Sequence, residues 1–279
     1  MAFAHYISIV SAVSGSAVVS LGMVLQKKGV SWLTHKKNKY PHFTRDKIFW
    51  LSGFALNNSL VFFYYFALKG LDASIVGSMM ALNIIFTSIF SALILREPIS
   101  KQVALGSLAL IFFIVLAHLS GGTSASLAPP PLYLIVFFYA VPFFLVLLAL
   151  GGRRFLSLGN HAYGALFALA AGCLEGIIIV IVKAIQNDRG DRLLEYLETP
   201  YPYMYVIASI AVVSFMQVAY LNGKMTKVAP VLWGAQIAYP VMITYLAFSV
   251  PMTPIQVVAF GGILFCVILI QSKHPEATP

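Results

Sequence analysis

Glu175 is the only acidic residue well inside any long apolar stretch of this 279-residue chain. If the run from 162 to 184 is helical, Glu175 lies about 20 Å from its start, at 1.5 Å per residue. A carboxylate at that depth in a membrane costs several kcal/mol, so it must face a cavity, a partner or a proton. Two chemistries fit: a cation ligand, which would make Glu175 the metal-binding residue, or a site for a coupling proton. The plainer alternative is a protonated acid hydrogen-bonded to a neighbouring helix. Ala168, Gly172 and Gly176 share its helix at four-residue spacing, so a second helix can approach closely there.

Four amides sit near the middle of other apolar stretches: Asn57, Asn58, Asn83 and Gln236. Their carbonyl oxygens suit a hydrated cation or a polar solute. Interhelical hydrogen bonding is the competing use. Gln217 and Tyr239 are secondary candidates of the same kind, as is Asp72. Asp188, Asp191, Glu195 and Glu198 form an acidic stripe at helical spacing, and Leu193, Leu194 and Leu197 give it an apolar face. Such a stripe reads as an interfacial helix whose negative charge gathers cations at a mouth, or as a solvated face.

The elements that must position these groups follow from composition. The chain is 60% hydrophobic and only 10% charged, against about 25% charged in soluble domains. It is therefore read against a bilayer, which roughly 20 apolar residues span. Nine apolar segments appear, near 5–25, 48–68, 72–95, 102–119, 131–150, 162–184, 203–221, 228–249 and 255–271. They are continuous rather than alternating and too long for barrel strands, so the fold class is all-α, a polytopic transmembrane helical bundle.

The net charge of +9 lies between the segments rather than on them, which excludes a nucleic-acid role. Placing the loop after the first segment in the cytoplasm puts every Lys and Arg there except Lys69, Lys183, Arg189 and Arg192. Nine spans, with the N-terminus outside and the C-terminus inside, satisfy the rule at every loop. The N-terminus lacks the basic residues of a secretory leader, so the first span is read as retained, and a plasma (cell inner) membrane as the location. Cys173 and Cys266 fall inside apolar runs with no disulfide or metal spacing. No phosphate loop, metal-spaced cluster or nucleophile–base pair is present, so the chain reads as no enzyme and needs no cofactor.

The organisation is 1–120 as a four-helix set, 121–161 as a linking helix with its flanking loops, and 162–279 as a second set. A shift of 155 positions brings Tyr65 onto Tyr220, Lys69 onto Lys224, Val103 onto Val258, Ala104 onto Ala259 and Gly106 onto Gly261. One odd span between two sets of four turns the second upside down. That is the inverted-repeat plan of many secondary transporters, with the site near mid-membrane between the repeats.

Three stretches carry a family likeness. They are Gly22-Met-Val-Leu-Gln-Lys-Lys-Gly29, the pair Asp72-to-Leu82 and Leu95-Arg-Glu-Pro98, and the pair Gln217-Val-Ala-Tyr-Leu-Asn222 and Val228-Ala-Pro230. With these the chain resembles the drug/metabolite transporter (DMT) superfamily, and within it the NIPA-like branch of magnesium transporters. The resemblance implies alternating-access transport, with Mg²⁺ or another divalent cation as cargo. Two departures bear on that cargo: Asp72 stands where the branch carries Pro, and Glu175 with an Ile run precedes Lys183. The alternatives are export of a small organic metabolite or amine, and a non-transporting membrane scaffold. Expected partners are the small-molecule or ion substrate and membrane lipids, with a homodimer also compatible.

Overall fold

The computed structural model describes residues 2–34, 42–59, 62–63, 66–67, 81–119, 132–155, 157–189, 197–247 and 253–271. Among them there are nine α-helices and no strand. In chain order these are α1 Ala2–Gly29, α2 Phe43–Asn58, α3 Leu82–Phe90, α4 Lys101–Leu119, α5 Leu132–Phe155, α6 Asn160–Arg189, α7 Tyr201–Asn222, α8 Met225–Ala247 and α9 Pro254–Gln271. Each of the nine apolar segments overlaps one of them, though 60–61, 64–65 and 68 of the second and 72–80 of the third lie outside the described residues. Four helical stretches are long and apolar enough to cross a membrane unaided: Tyr6–Leu33, Leu132–Phe155, Asn160–Ile178 and Tyr201–Asn222. Leu82–Leu95, Lys101–Ala117 and Pro254–Ile270 are shorter apolar helices.

Large apolar side chains cover the outside. Phe137, Phe144 and Leu147 on α5, Ile207 and Ile210 on α7, and Val258, Phe265 and Ile268 on α9 are all exposed. In water such faces would aggregate; in lipid they are solvated. The chain is an integral membrane protein.

The packing is duplicated. Helix α1 lies against α2 and α3, and α6 lies against α7 and α8. Further contacts join the first four helices to the last four: α3 with α8, α4 with α9, α4 with α8 and, more lightly, α1 with α7. Helix α5 docks on α6 and touches α8. Its Tyr139 hydroxyl donates to the Met204 carbonyl at 3.1 Å, and its Phe143 ring packs edge-on against Phe215, 5.8 Å between centroids.

Close approach of backbones sets the tightest pairs. A methyl group built on Gly22 of α1 would lie 2.8 Å from the Gly53 carbonyl oxygen and 2.9 Å from the Asn57 nitrogen of α2. On α6, a methyl on Gly172 would lie 2.8 Å from Ala235 Cβ, and one on Gly176 would lie 2.7 Å from the Pro240 ring. The small-residue spacing around Glu175 therefore seats α8. Pro142, Pro230 and Pro240 all lie inside helices. Helix α8 starts three residues before the expected segment, so Pro230 falls in its second turn.

Helix α3 ends in a π-helical turn, Ser91–Leu95, closed by Arg96 in the left-handed region at φ 56°. The amide of Glu97 then returns to the Ser91 carbonyl at 3.3 Å. Pro98 cannot extend a helix, so the Leu-Arg-Glu-Pro ending is a sharp stop that throws Glu97 sideways.

Candidate functional site

A cavity of about 160 Å³ opens between α1, α2, α6 and α7. Glu175 and Ile178 of α6 form one wall. Phe54, Asn57 and Asn58 of α2 face it, Gln26 of α1 closes one corner, and Ser209, Val212, Val213, Met216 and Gln217 of α7 complete the lining. The site thus draws on α1 and α2 from the first half of the chain and on α6 and α7 from the second. Among the described residues no Lys or Arg lines it.

Among the described lining residues Glu175 is the only ionisable group. Among the described residues nothing hydrogen-bonds to it, and its electrostatic neighbour is Tyr220 on α7. The Tyr220 hydroxyl is buried and has no hydrogen-bond partner. A carboxylate held in a low-dielectric wall, with no counter-ion among the described residues, is a strong attractor for a cation.

Gln217 supplies the opposite function. Its Oε1 accepts a hydrogen bond from the Trp50 indole nitrogen at 2.7 Å. Indole Nε1 can only donate, so the amide orientation is fixed by chemistry. Among the described residues Nε2 is left buried and without a partner, an N–H donor free for an acceptor on a solute. Trp50 is itself held by stacking on Phe54, 5.4 Å between centroids, and by an edge contact with Trp32 at 5.7 Å. Asn58 and Ser209 each donate to the carbonyl one turn back in their own helix, at 2.8 Å in both cases. Their acceptor oxygens stay available.

The structure gathers Glu175, Asn57, Asn58 and Gln217 and places Asn83, Gln236 and Tyr239 elsewhere. Asn83 is fully buried on α3, and neither of its side-chain polar atoms has a partner. Gln236 is buried on α8 with Oε1 unpartnered. Neither lines the cavity. Tyr239 donates to the Phe138 carbonyl at 2.5 Å and so anchors α5 to α8. Asp72, Asp191, Glu195 and the side chain of Asp188 lie outside the described residues; Glu198 is exposed.

Gln26, Trp50 and Ser209 were not singled out from the sequence. Gln26 had a signal: it is the polar residue that ends an apolar run ahead of Lys27-Lys28-Gly29. Among the described residues no group of three or more His, Cys, Asp or Glu side chains could hold a metal ion.

Residues 2–119 match the model of the EamA-like transporter family. The matched stretch runs from α1 through α4 and is similar to an EamA-like transporter domain. The match ends where α4 ends and agrees with the resemblance to the DMT superfamily; it says nothing of a NIPA-like branch. No curated protein and no solved structure matches the chain. The matched residues contribute α1 and α2 to the cavity, while the carboxylate comes from α6, beyond them.

Proposed function

We propose that the chain is a secondary transporter of a small organic ammonium compound that also carries a hydrogen-bond acceptor, such as an amino acid or amino alcohol. The observation that carries this reading is the pairing, in one cavity, of an uncompensated carboxylate with the unpartnered Gln217 donor. An ammonium group would sit on Glu175 and an acceptor on Gln217, while Phe54, Val212 and Met216 receive the carbon skeleton. The cavity volume equals that of about five water molecules in the liquid, in keeping with a cargo of few heavy atoms.

The cavity would be reached alternately from the two membrane faces, the two four-helix sets rocking about it as inverted repeats. The duplicated packing, α1 on α2 and α3 and α6 on α7 and α8, supports that plan. The distribution of Lys and Arg supports a cytoplasmic end where α1 finishes and α8 begins.

A second reading, Mg²⁺, is favoured by the amides of Gln26, Asn57 and Asn58 around the same carboxylate. Mg²⁺ retains water readily, and amide oxygens can bind that water. A single carboxylate leaves one positive charge of a dication unbalanced, however, and the Gln217 donor repels rather than binds a metal.

The deciding experiment is flux into proteoliposomes with radiolabelled amino acids and amines on one arm and an internal Mg²⁺ dye on the other. The expected outcome is organic-cation flux, lost in Glu175→Gln. Flux of Mg²⁺ alone would replace the first reading by the second. Absence of any flux with monodisperse protein would leave neither standing.

A further inference from the structure

The second transmembrane set makes one very short reversal, from the end of α7 at Asn222 to the start of α8 at Met225. Gly223 there is extended, with φ −123° and ψ 154°. The carboxyl end of one helix and the amino end of another are thus presented side by side. The first carries partial negative charge and orphan carbonyls; the second carries partial positive charge and orphan amides.

The first four helices supply a side chain of matching sign to each. Lys27, in the last turn of α1, donates to the Gly223 carbonyl at 2.7 Å and also to the Tyr220 carbonyl. Glu97, thrown out by the stop after α3, accepts from the Thr226 amide at 3.0 Å. Lys27 and Glu97 lie within electrostatic range of each other. A third link, Trp50 to Gln217, runs between the same halves one turn closer to mid-membrane.

We propose that Lys27 and Glu97 are gate residues: together they clamp the α7–α8 reversal and close the cytoplasmic end of the cavity. This rests on the alternating-access reading above, though not on what the cargo is. The clamp forms the floor of the site, because Gln26, the neighbour of Lys27, and Gln217, one turn before Tyr220, both line the cavity.

The choice of partners makes the clamp reversible. Both side chains bind groups that the helix ladders leave over at their ends, and the Ala219 carbonyl already takes the Gly223 amide at 2.8 Å. Water can replace Lys27 and Glu97 without unwinding α7 or α8. Opening therefore breaks hydrogen bonds between the halves and none within a helix. Because each charge answers a helix end, exchanging the two charges would place both against the wrong pole.

The test uses Ser209→Cys in the cavity wall, with the full chain in oriented membrane vesicles and no substrate present. The probe is a membrane-impermeant thiosulfonate, and the parent with its two buried cysteines gives the background. Labelling from the Lys27 side should be slow, then rise at least about tenfold in Glu97→Gln and in Lys27→Met, as expected when a two-state balance shifts by one such bond. Lys27→Arg should keep the protection. The double exchange Lys27→Glu with Glu97→Lys should stay open. Unchanged labelling in Glu97→Gln, a variant of equal size, would overturn the gate. Protection restored by the double exchange would overturn the helix-end clamp in favour of a simple ion pair. Neither result depends on measuring transport.

Discussion

The Lys27 ammonium on α1 sits 2.7 Å from the carbonyl oxygen of Gly223, just past the end of α7. The same ammonium also serves Tyr220. Bonds from a charged donor to orphan helix carbonyls exceed ordinary hydrogen bonds in strength. Lys27→Met should lower resistance to unfolding in mixed detergent by about 2 kcal/mol, with Lys27→Arg close to the parent. A Met variant as stable as the parent would show that the bond contributes nothing net.

Gln217→Glu keeps an oxygen for the Trp50 indole and removes the unpartnered Nε2 donor beside the cavity. It also adds a second carboxylate opposite Glu175. Cargo preference should move from amino acids towards diamines or divalent cations, read as competition in a flux assay. Unaltered preference would show that Gln217 does not meet the cargo.

The α1–α2 crossing has no room for a side chain. Gly53→Ala would drive a methyl into the Gly22 carbonyl and the Gln26 amide. The two helices must separate, at a cost of about 2 kcal/mol. The melting temperature of the purified protein should fall, and binding should weaken as Asn57 and Gln26 move apart.

Arg96 holds a left-handed conformation that costs a side-chain-bearing residue roughly 1 kcal/mol. Arg96→Gly should therefore stabilise the protein by about that amount while leaving Glu97 on Thr226. Destabilisation instead would mean that the Arg96 side chain makes a compensating contact.

The helices were legible in the sequence because a bilayer demands them: continuous apolar runs admit one secondary structure. Glu175 was legible for the same reason, since a lone acid in such a run has few explanations. The amides were harder. Asn57 and Asn83 look alike in one dimension, and only the packing of α2 against α1 and of α3 against α1 and α8 sends one to the cavity and buries the other. Trp50 was invisible as a site residue because an aromatic near a helix end ordinarily marks the membrane interface. Its role appears only when α7 delivers Gln217 to it. Lys27 and Glu97 were read as topology and family signals. Their meeting with α7 and α8 joins residues 193 and 129 positions apart along the chain, which local pattern does not encode.

Helices α4 and α9 pack against each other, α4 closing the first four helices and α9 the last four. Gln102 donates across the pair to the Leu269 carbonyl, and a methyl on Gly106 would lie 2.7 Å from Ile270. If the Lys27 end opens while this pair holds, the molecule works like a book with α4 and α9 as its spine. A covalent tie between Gln102 and Leu269, replaced by cysteines, should then leave turnover intact. A tie between positions 27 and 223 should stop it.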